Sequence, residues 1–545
     1  MKIRSIDQMP PITGISLICL WLILWGCVTL TRPLLPIDET RCVSVAWEMW
    51  QSGNFLVPHL NGIPYSHKPP LLCWLILSGW KLFGVNEWWP RLLPPLFGLG
   101  CLFLTSLLAR NLWPDKPDIA SRAPHILLGC VLWTLFTTVV MYDMLVVFFV
   151  LISLLCLYNA AGRRSRYWLW LAAGASLGLG ILSKGPVTLI PYVMAAVSVP
   201  WWRKNASGKD HVQFVGGVIL SLILAAAISL AWALPAAQSG GPEYAKSILW
   251  GQTAGRFAES FAHGRPWWWY VPMIPVILFP WTVSPLFWRN IRKLDLSDSG
   301  IRFCLSWLIP SLIVFSIISG KQVYYLLFLF PAFALLAARF TTGSSAGRFD
   351  LMPLAVFLVT VGVLLMVIPA VHCGISLPPW VAKVSPIYGL ILILAGLFAG
   401  WFPVRTAGTV VWGSTLCMIF TVCMIHAAVF SQARPDYDVR PIALLLKDME
   451  KKGHPLVHVN TYYGQYHFMG RLEKPLDETD YIHEAPTWLK KHPEGRVLAY
   501  FRKWPASVPS GLTPEYVRPY MGKYAVILRS RSWQTAGGAV KRHTP

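Results

Sequence analysis

Charge is the scarcest thing in this chain. Asp, Glu, Lys and Arg make up only 13% of its 545 residues, while 55% are hydrophobic. That is too little charge for a soluble protein of this length. Acidic residues are rarer still, 25 against 47 basic ones, for a net charge of +22. An excess of this kind points to nucleic acid when it is clustered. Here it is strung through short loops between apolar runs, so no nucleic acid partner is expected. No CxxC occurs, and no cysteine lies beyond Cys423. The 11 cysteines therefore read as small buried hydrophobes, not as metal ligands or a disulfide frame. No internal repeat is apparent, which weakens an inverted-repeat transporter. No nucleotide-binding motif stands out.

What the sequence has is long apolar runs. About thirteen reach bilayer-spanning character, near 13–31, 91–110, 124–141, 143–160, 167–183, 185–201, 213–235, 268–288, 302–318, 323–340, 351–371, 385–402 and 408–430. The first follows Lys2 and Arg4 but has no small-residue cleavage site, so it reads as a span and not as a signal peptide. The fold class expected is a polytopic α-helical membrane protein. Six connections are basic: 110–122, 162–166, 201–209, 289–293, 338–348 and 404–405. All follow even-numbered spans. The positive-inside rule makes them cytoplasmic, with the N-terminus. The remaining connections, and the tail, then face outward. Residues 1–430 form the expected transmembrane domain, with 32–90 as a long first outer loop. The tail, 431–545, carries 11 of the 25 acidic residues. "RPIALLLKDMEKKG" (440–453) predicts a helix ending at a glycine. "HPLVHVN", "GRVLAYFRK" and "KYAVILRS" predict strands. A small α/β domain is expected there.

Outward loops should be poor in Lys and Arg. Yet Arg41, Lys68, Lys184, Arg256, Arg265 and Lys321 all fall on that side, with Asp38, Glu39 and Asp143. Ionisable groups at a membrane are costly and tend to be paired or functional. Asp38 and Glu39 open "DETRCVSVAWEMW" and suit the first turn of a helix. A cap can also present a carboxylate, so both readings stand. Asp143 is the one acidic residue in "TTVVMYDMLVVFFVLISLL", either a turn residue or a site carboxylate. Lys68 is stiffened by Pro69 and Pro70. After it, an interfacial amphipathic helix is predicted, anchored by Trp74, Trp80 and Lys81. A single lysine at a span end usually snorkels to the headgroups. Several converging cations suit a phosphate, and can neutralise it as a leaving group.

These residues carry a resemblance. "DETR", "MWQSGNFLVPHLNGIPYSHKPPLLCWL", "KLFGVNEWWPRL", "MYDML", "LSKGP", "RPWWWYVPMIPVILFPWT" and "SGKQVYYLLFLFPA" follow in order over roughly the first 340 residues. They resemble the C-type (GT-C) glycosyltransferases that use polyprenyl-phosphate sugars, in the branch of the bacterial lipid A aminoarabinose transferases, kin of the protein O-mannosyltransferases. The resemblance implies catalytic roles for Asp38 and Asp143, with Glu39 beside them. It implies contacts to the carrier phosphate from Lys68, Lys321 and Tyr325, with Arg256 and Lys184 added to that set. The branch has an acidic residue before the lysine of its E-K-P-P pattern; here it is His67. That puts a divalent metal in doubt, and no cofactor is otherwise implied.

The function expected is inverting transfer of a sugar from undecaprenyl phosphate to lipid A or another envelope glycan, outside the inner membrane. A protein O-glycosyltransferase is the alternative of the same family. A lipid or solute transporter is the competing class, but its site belongs near the midplane. A scaffold that presents the tail domain leaves the charged loops unexplained.

Overall fold

The computed structural model describes residues 11–162, 167–203, 208–255, 264–292, 294–370, 377–503 and 511–531. The N-terminal helices are α1 (Pro11–Thr31), α2 (Asp38–Ser52), α3 (Leu71–Phe83), α4 (Trp88–Leu112), α5 (Pro117–Gly129), α6 (Val131–Phe136), α7 (Asp143–Ala160) and α8 (Tyr167–Lys184). The chain divides into two compact units. One takes Met1–Leu30, Ser66–His372 and Val384–Ala428; the other takes Thr31–Tyr65, Cys373–Lys383 and Val429–Pro545.

The first unit is helical and apolar. Among the described residues, eight helices are long and apolar enough to cross a membrane, including α1, α4 and α7. The chain is a multi-pass membrane protein. Five of the thirteen expected spans are not among the eight. Two are short helices, Pro186–Val197 and Pro386–Trp401. The helix over 167–183 is present as α8, diluted by Tyr, Trp, Gly and its terminal lysine.

The other two, 124–141 and 268–288, are broken helices. The first stops at Cys130 and restarts as α6. The second stops near Leu278 and restarts at Pro285. Each break supplies what the other lacks. Val131 N–H donates to Phe279 O (2.9 Å), and Trp281 Nε1 donates to Ile126 O (2.9 Å). Thr134 Oγ1 donates to Leu128 O (2.7 Å). Non-helical backbone survives at membrane depth only when it is satisfied inside the protein in this way.

Helix α7 packs on α4 and α8, and α8 packs on the long helix Gly208–Gly240. Small residues permit the last contact: a Cβ on Gly174 would fall 2.7 Å from Ser221 O. These contacts fix the start of α7 and the end of α8, where Asp143 and Lys184 sit. In α3 the side chain of Trp80 is buried, with Nε1 donating to Asn86 O (2.8 Å). It is a packing residue and not the expected interfacial anchor; Lys81, Leu82 and Phe83 are the exposed end of that helix.

The second unit holds a five-stranded sheet in the order β4-β3-β5-β7-β6. The strands are β3 (Leu456–Val459), β4 (Asp477–Thr479), β5 (Arg496–Phe501), β6 (Leu512–Tyr520) and β7 (Lys523–Ser530); β1 (His59–Leu60) and β2 (Ile63–Pro64) form a separate hairpin. β4, β3 and β5 are parallel; β5, β7 and β6 are antiparallel. Helix Arg440–Lys451 precedes β3, as the sequence pattern predicts. β4 is short and polar, and β6 carries Pro514 and Pro519, so neither has the apolar run that reveals a strand.

Residues 31–65, expected with the transmembrane domain, group with this sheet. Asn61 and Gly62, both at positive φ, turn the β1–β2 hairpin. Asn61 Nδ2 donates to Leu476 O (2.8 Å), and Leu476 N donates back to Asn61 Oδ1 (2.8 Å). Helix α2 is held by Trp47 Nε1 on Leu472 O (2.9 Å) and by Ser44 Oγ, which donates to Gly464 O and accepts from Phe468 N.

Candidate active site

In the first unit, four expected site residues come together. Asp143 opens α7 and Lys184 closes α8, and the two form a buried ion pair. Lys184 Nζ also lies 4.6 Å from the ring centroid of Tyr325 and 5.1 Å from that of Tyr324. Lys68 Nζ lies 5.9 Å from the ring of Tyr142, the residue next to Asp143. The result is a chain of contacts: Lys68 to Tyr142, then Asp143 to Lys184, then the two tyrosines. The Lys184–Asp143 pair is charge-balanced, and burial strengthens the attraction within it. Asp143 Oδ2 is buried and makes no hydrogen bond, leaving an acceptor for a donor to use. Tyr142 and Tyr324 were not singled out from the sequence. "MYD" and "VYY" hold the signal, an aromatic beside each charged position.

Lys321 is placed differently from its expected role. Its side chain is buried, and its amine donates to Arg265 O (2.9 Å) and to Ile318 O. Burial pulls its pKa down. Arg265 N donates to Ser319 O (3.1 Å), and Gly264 bridges Gly320. The amine therefore staples the 264–265 and 318–321 segments together and has one N–H left. Arg256 lies outside the described residues.

In the second unit, Asp38 is the first residue of α2 and makes no capping bond; its exposed carboxylate accepts from Arg41 NH2. The Arg41 guanidinium lies 5.9 Å from the ring centroid of Tyr463. Glu39 points the other way. It is 1% exposed, paired with Arg32, and accepts from Leu35 N (2.7 Å). Its lone pairs are spent on the fold, so Glu39 is a structural residue and not the catalytic one expected. Among the described residues, no three His, Cys, Asp or Glu side chains gather in a set that could hold a metal. His67 is exposed and gains no such set. The residues do not fit a metal site.

Comparison with known proteins gives this geometry a context. The family model described as dolichyl-phosphate-mannose-protein mannosyltransferase matches residues 67–232. The crystal structure of ArnT from Cupriavidus metallidurans bound to undecaprenyl phosphate superposes with a TM-score of 0.73, covering 96% of this chain and 99% of that one at 18% identity. The chain has a GT-C fold. The apo form of the same protein superposes at 0.72. In sequence, the chain is 29% identical over 420 residues to the undecaprenyl phosphate-alpha-4-amino-4-deoxy-L-arabinose arabinosyl transferase 1 of Pseudomonas fluorescens, 73% of each protein. It is 30% identical over 324 residues to the corresponding transferase of an Enterobacter species, 57% of this chain and 56% of that one. Several other curated relatives are matched over about half their length. The chain resembles membrane glycosyltransferases that act from a polyprenyl-phosphate carrier.

Proposed function

We propose that this protein transfers a sugar from undecaprenyl phosphate to lipid A, at the periplasmic face of a bacterial inner membrane, through thirteen crossing segments. The observation that carries the proposal is the buried Lys184–Asp143 pair under Tyr324 and Tyr325, with Lys68 alongside. It gathers two lysines and two tyrosine rings on a GT-C fold whose relatives are named for an undecaprenyl-phosphate sugar.

The chemistry follows from the groups present. The bond between the anomeric carbon and the carrier phosphate oxygen breaks, and a bond to the acceptor oxygen forms on the opposite face. Charge builds on the departing phosphate. Lys68 and Lys184 neutralise it, and Tyr325 donates a hydrogen bond to it. Asp143 holds the Lys184 ammonium in place. Lys321 keeps the 264–265 and 318–321 segments in place, with its third N–H available to the phosphate. Arg256 adds a further cation. Asp38 orients the acceptor. For a hydroxyl acceptor it takes the proton as general base; for a phosphate acceptor no base is needed and it only positions. No step runs through a metal.

The test is transfer by the purified chain from undecaprenyl-phosphate-linked 4-amino-4-deoxy-L-arabinose to lipid A in detergent. Wild type should form sugar-bearing lipid A. Asp38→Asn, and Lys184→Met combined with Asp143→Leu, should be made, insert and fail to turn over. Carrier or lipid movement across a vesicle bilayer without transfer would favour the transporter reading and overturn this one.

A further inference from the structure

We infer that the C-terminal domain sets the Asp38 carboxylate through Tyr463, making Tyr463 a positioning residue for transfer. The inference rests on the role proposed for Asp38.

Asp38 is exposed, and it pairs with Arg41 one turn along the same helix. An exposed pair of this kind holds a geometry poorly, because both side chains rotate and water screens them. The ring of Tyr463 changes that. It sits 5.9 Å from the Arg41 guanidinium, within range of a cation–π contact, and a guanidinium lying on a ring has few rotamers left.

The loop that carries Tyr463 is unusually constrained. Tyr462 N donates to Glu478 Oε2 (3.0 Å) and Tyr463 N to Gln465 Oε1 (3.1 Å). Gly464 O accepts from Ser44 Oγ of α2. Gly464 has φ +72°, and a Cβ there would fall 2.4 Å from Leu60 Cδ1. Gln465 is buried, and its Nε2 donates to Tyr500 OH (3.0 Å) on β5. Tyr462, Gly464 and Gln465 are thus tied to the sheet, to α2 or to the hairpin, and Tyr463 is tied to Gln465. Tyr463 alone among them keeps a substantially exposed ring, 39%.

The location gives the reason. The loop leaves the carboxyl end of β3. From there the chain turns to β4 on one side, while β5 runs on to β6, beyond β7, on the other. In open α/β sheets this switch point is where ligands sit. Here α2 is docked at that loop by Ser44, and the loop projects a ring onto Arg41. The domain acts as a rigid mount for the first turn of α2, which is what pre-organisation of a reacting carboxylate requires.

The experiment uses the full chain with Tyr463→Ala and Tyr463→Phe, assayed with undecaprenyl-phosphate-linked aminoarabinose and lipid A. Asp38 reactivity toward a water-soluble carbodiimide is followed by peptide mass spectrometry. Tyr463→Ala should lower kcat about tenfold with KM for the carrier sugar unchanged, and should label Asp38 several-fold faster. Tyr463→Phe keeps the ring and should restore both. Tyr463→Leu replaces the alanine variant if that one melts early. Wild-type kcat and labelling in Tyr463→Ala would overturn the inference. So would a fall in kcat without faster labelling, since Tyr463 would then act on substrate directly. If Asp38→Asn turns over like wild type, the role proposed for Asp38 fails, while the labelling still decides whether Tyr463 sets that carboxylate.

Discussion

Two neighbouring carboxylates, Asp38 and Glu39, look alike in sequence and separate in structure. Glu39 and Arg32 are paired with side chains 1% and 2% exposed. Removing one partner of such a pair strands a buried charge, at about 3–5 kcal/mol. Glu39→Ala should therefore lower the thermal midpoint and the yield of folded protein. Asp38→Asn should leave both unchanged and abolish turnover; thermal melts beside a transfer assay separate the two. The same reasoning applies to Asp143 and Lys184, also buried together. Lys184→Met alone should destabilise by a similar amount. Lys184→Met with Asp143→Leu should recover the stability and stay inactive, because the packing is restored and the positive charge is not. Sequence reasoning could place Lys184 and Asp143 on one side, since each falls at a span end. It could not tell Lys68, over a ring, from Lys321, whose amine goes to Arg265 and Ile318 carbonyls. A lysine's reach is set by tertiary packing, which leaves no mark at the lysine itself.

At the scale of elements, hydropathy shows where apolar segments lie but not where they bend. The segments at 124–141 and 268–288 have the composition of spans, and nothing local in the first announces a break at Cys130. The break exists because a second broken segment satisfies its backbone. Trp281→Phe removes the donor to Ile126 O. It should destabilise by about 1 kcal/mol, the loss of one hydrogen bond while the Cys130 thiol still donates to Ile126 O, read from the thermal midpoint in detergent. The hairpin at Asn61–Gly62 was legible in principle: "NG" between apolar residues is a strong short-range turn signal. Gly62 has φ +77°. Gly62→Ala should cost about 1 kcal/mol and loosen residues 54–65, seen as faster amide exchange there.

At the scale of the whole molecule, composition and charge patterning make the membrane class readable, because a bilayer imposes length and polarity on every crossing segment. The C-terminal sheet was partly readable: β3, β5 and β7 carry apolar runs, while β4 and β6 are polar or proline-marked. Its buried polar centre was not readable at all. His458 bonds Asn460 O and lies against Tyr500; His467 bonds Tyr462 OH. Burial pushes both imidazoles down to about 4. In the unfolded chain they titrate near 6.5. Between those values the unfolded chain takes up protons that the folded domain does not. Stability is therefore lost as pH falls from about 6.5 toward 4, by up to about 1.4 kcal/mol per pH unit for each histidine. Denaturant unfolding followed by amide exchange of β3 and β5 peptides at pH 7 and pH 5 should show the loss.

The most direct test of the account is mass spectrometry of lipid A from cells with and without this gene, with Asp38→Asn as control. The account predicts a sugar-sized mass increment on lipid A that requires the active protein and vanishes with Asp38→Asn. Identical lipid A in all three strains, in cells that make the carrier-linked sugar, would contradict it.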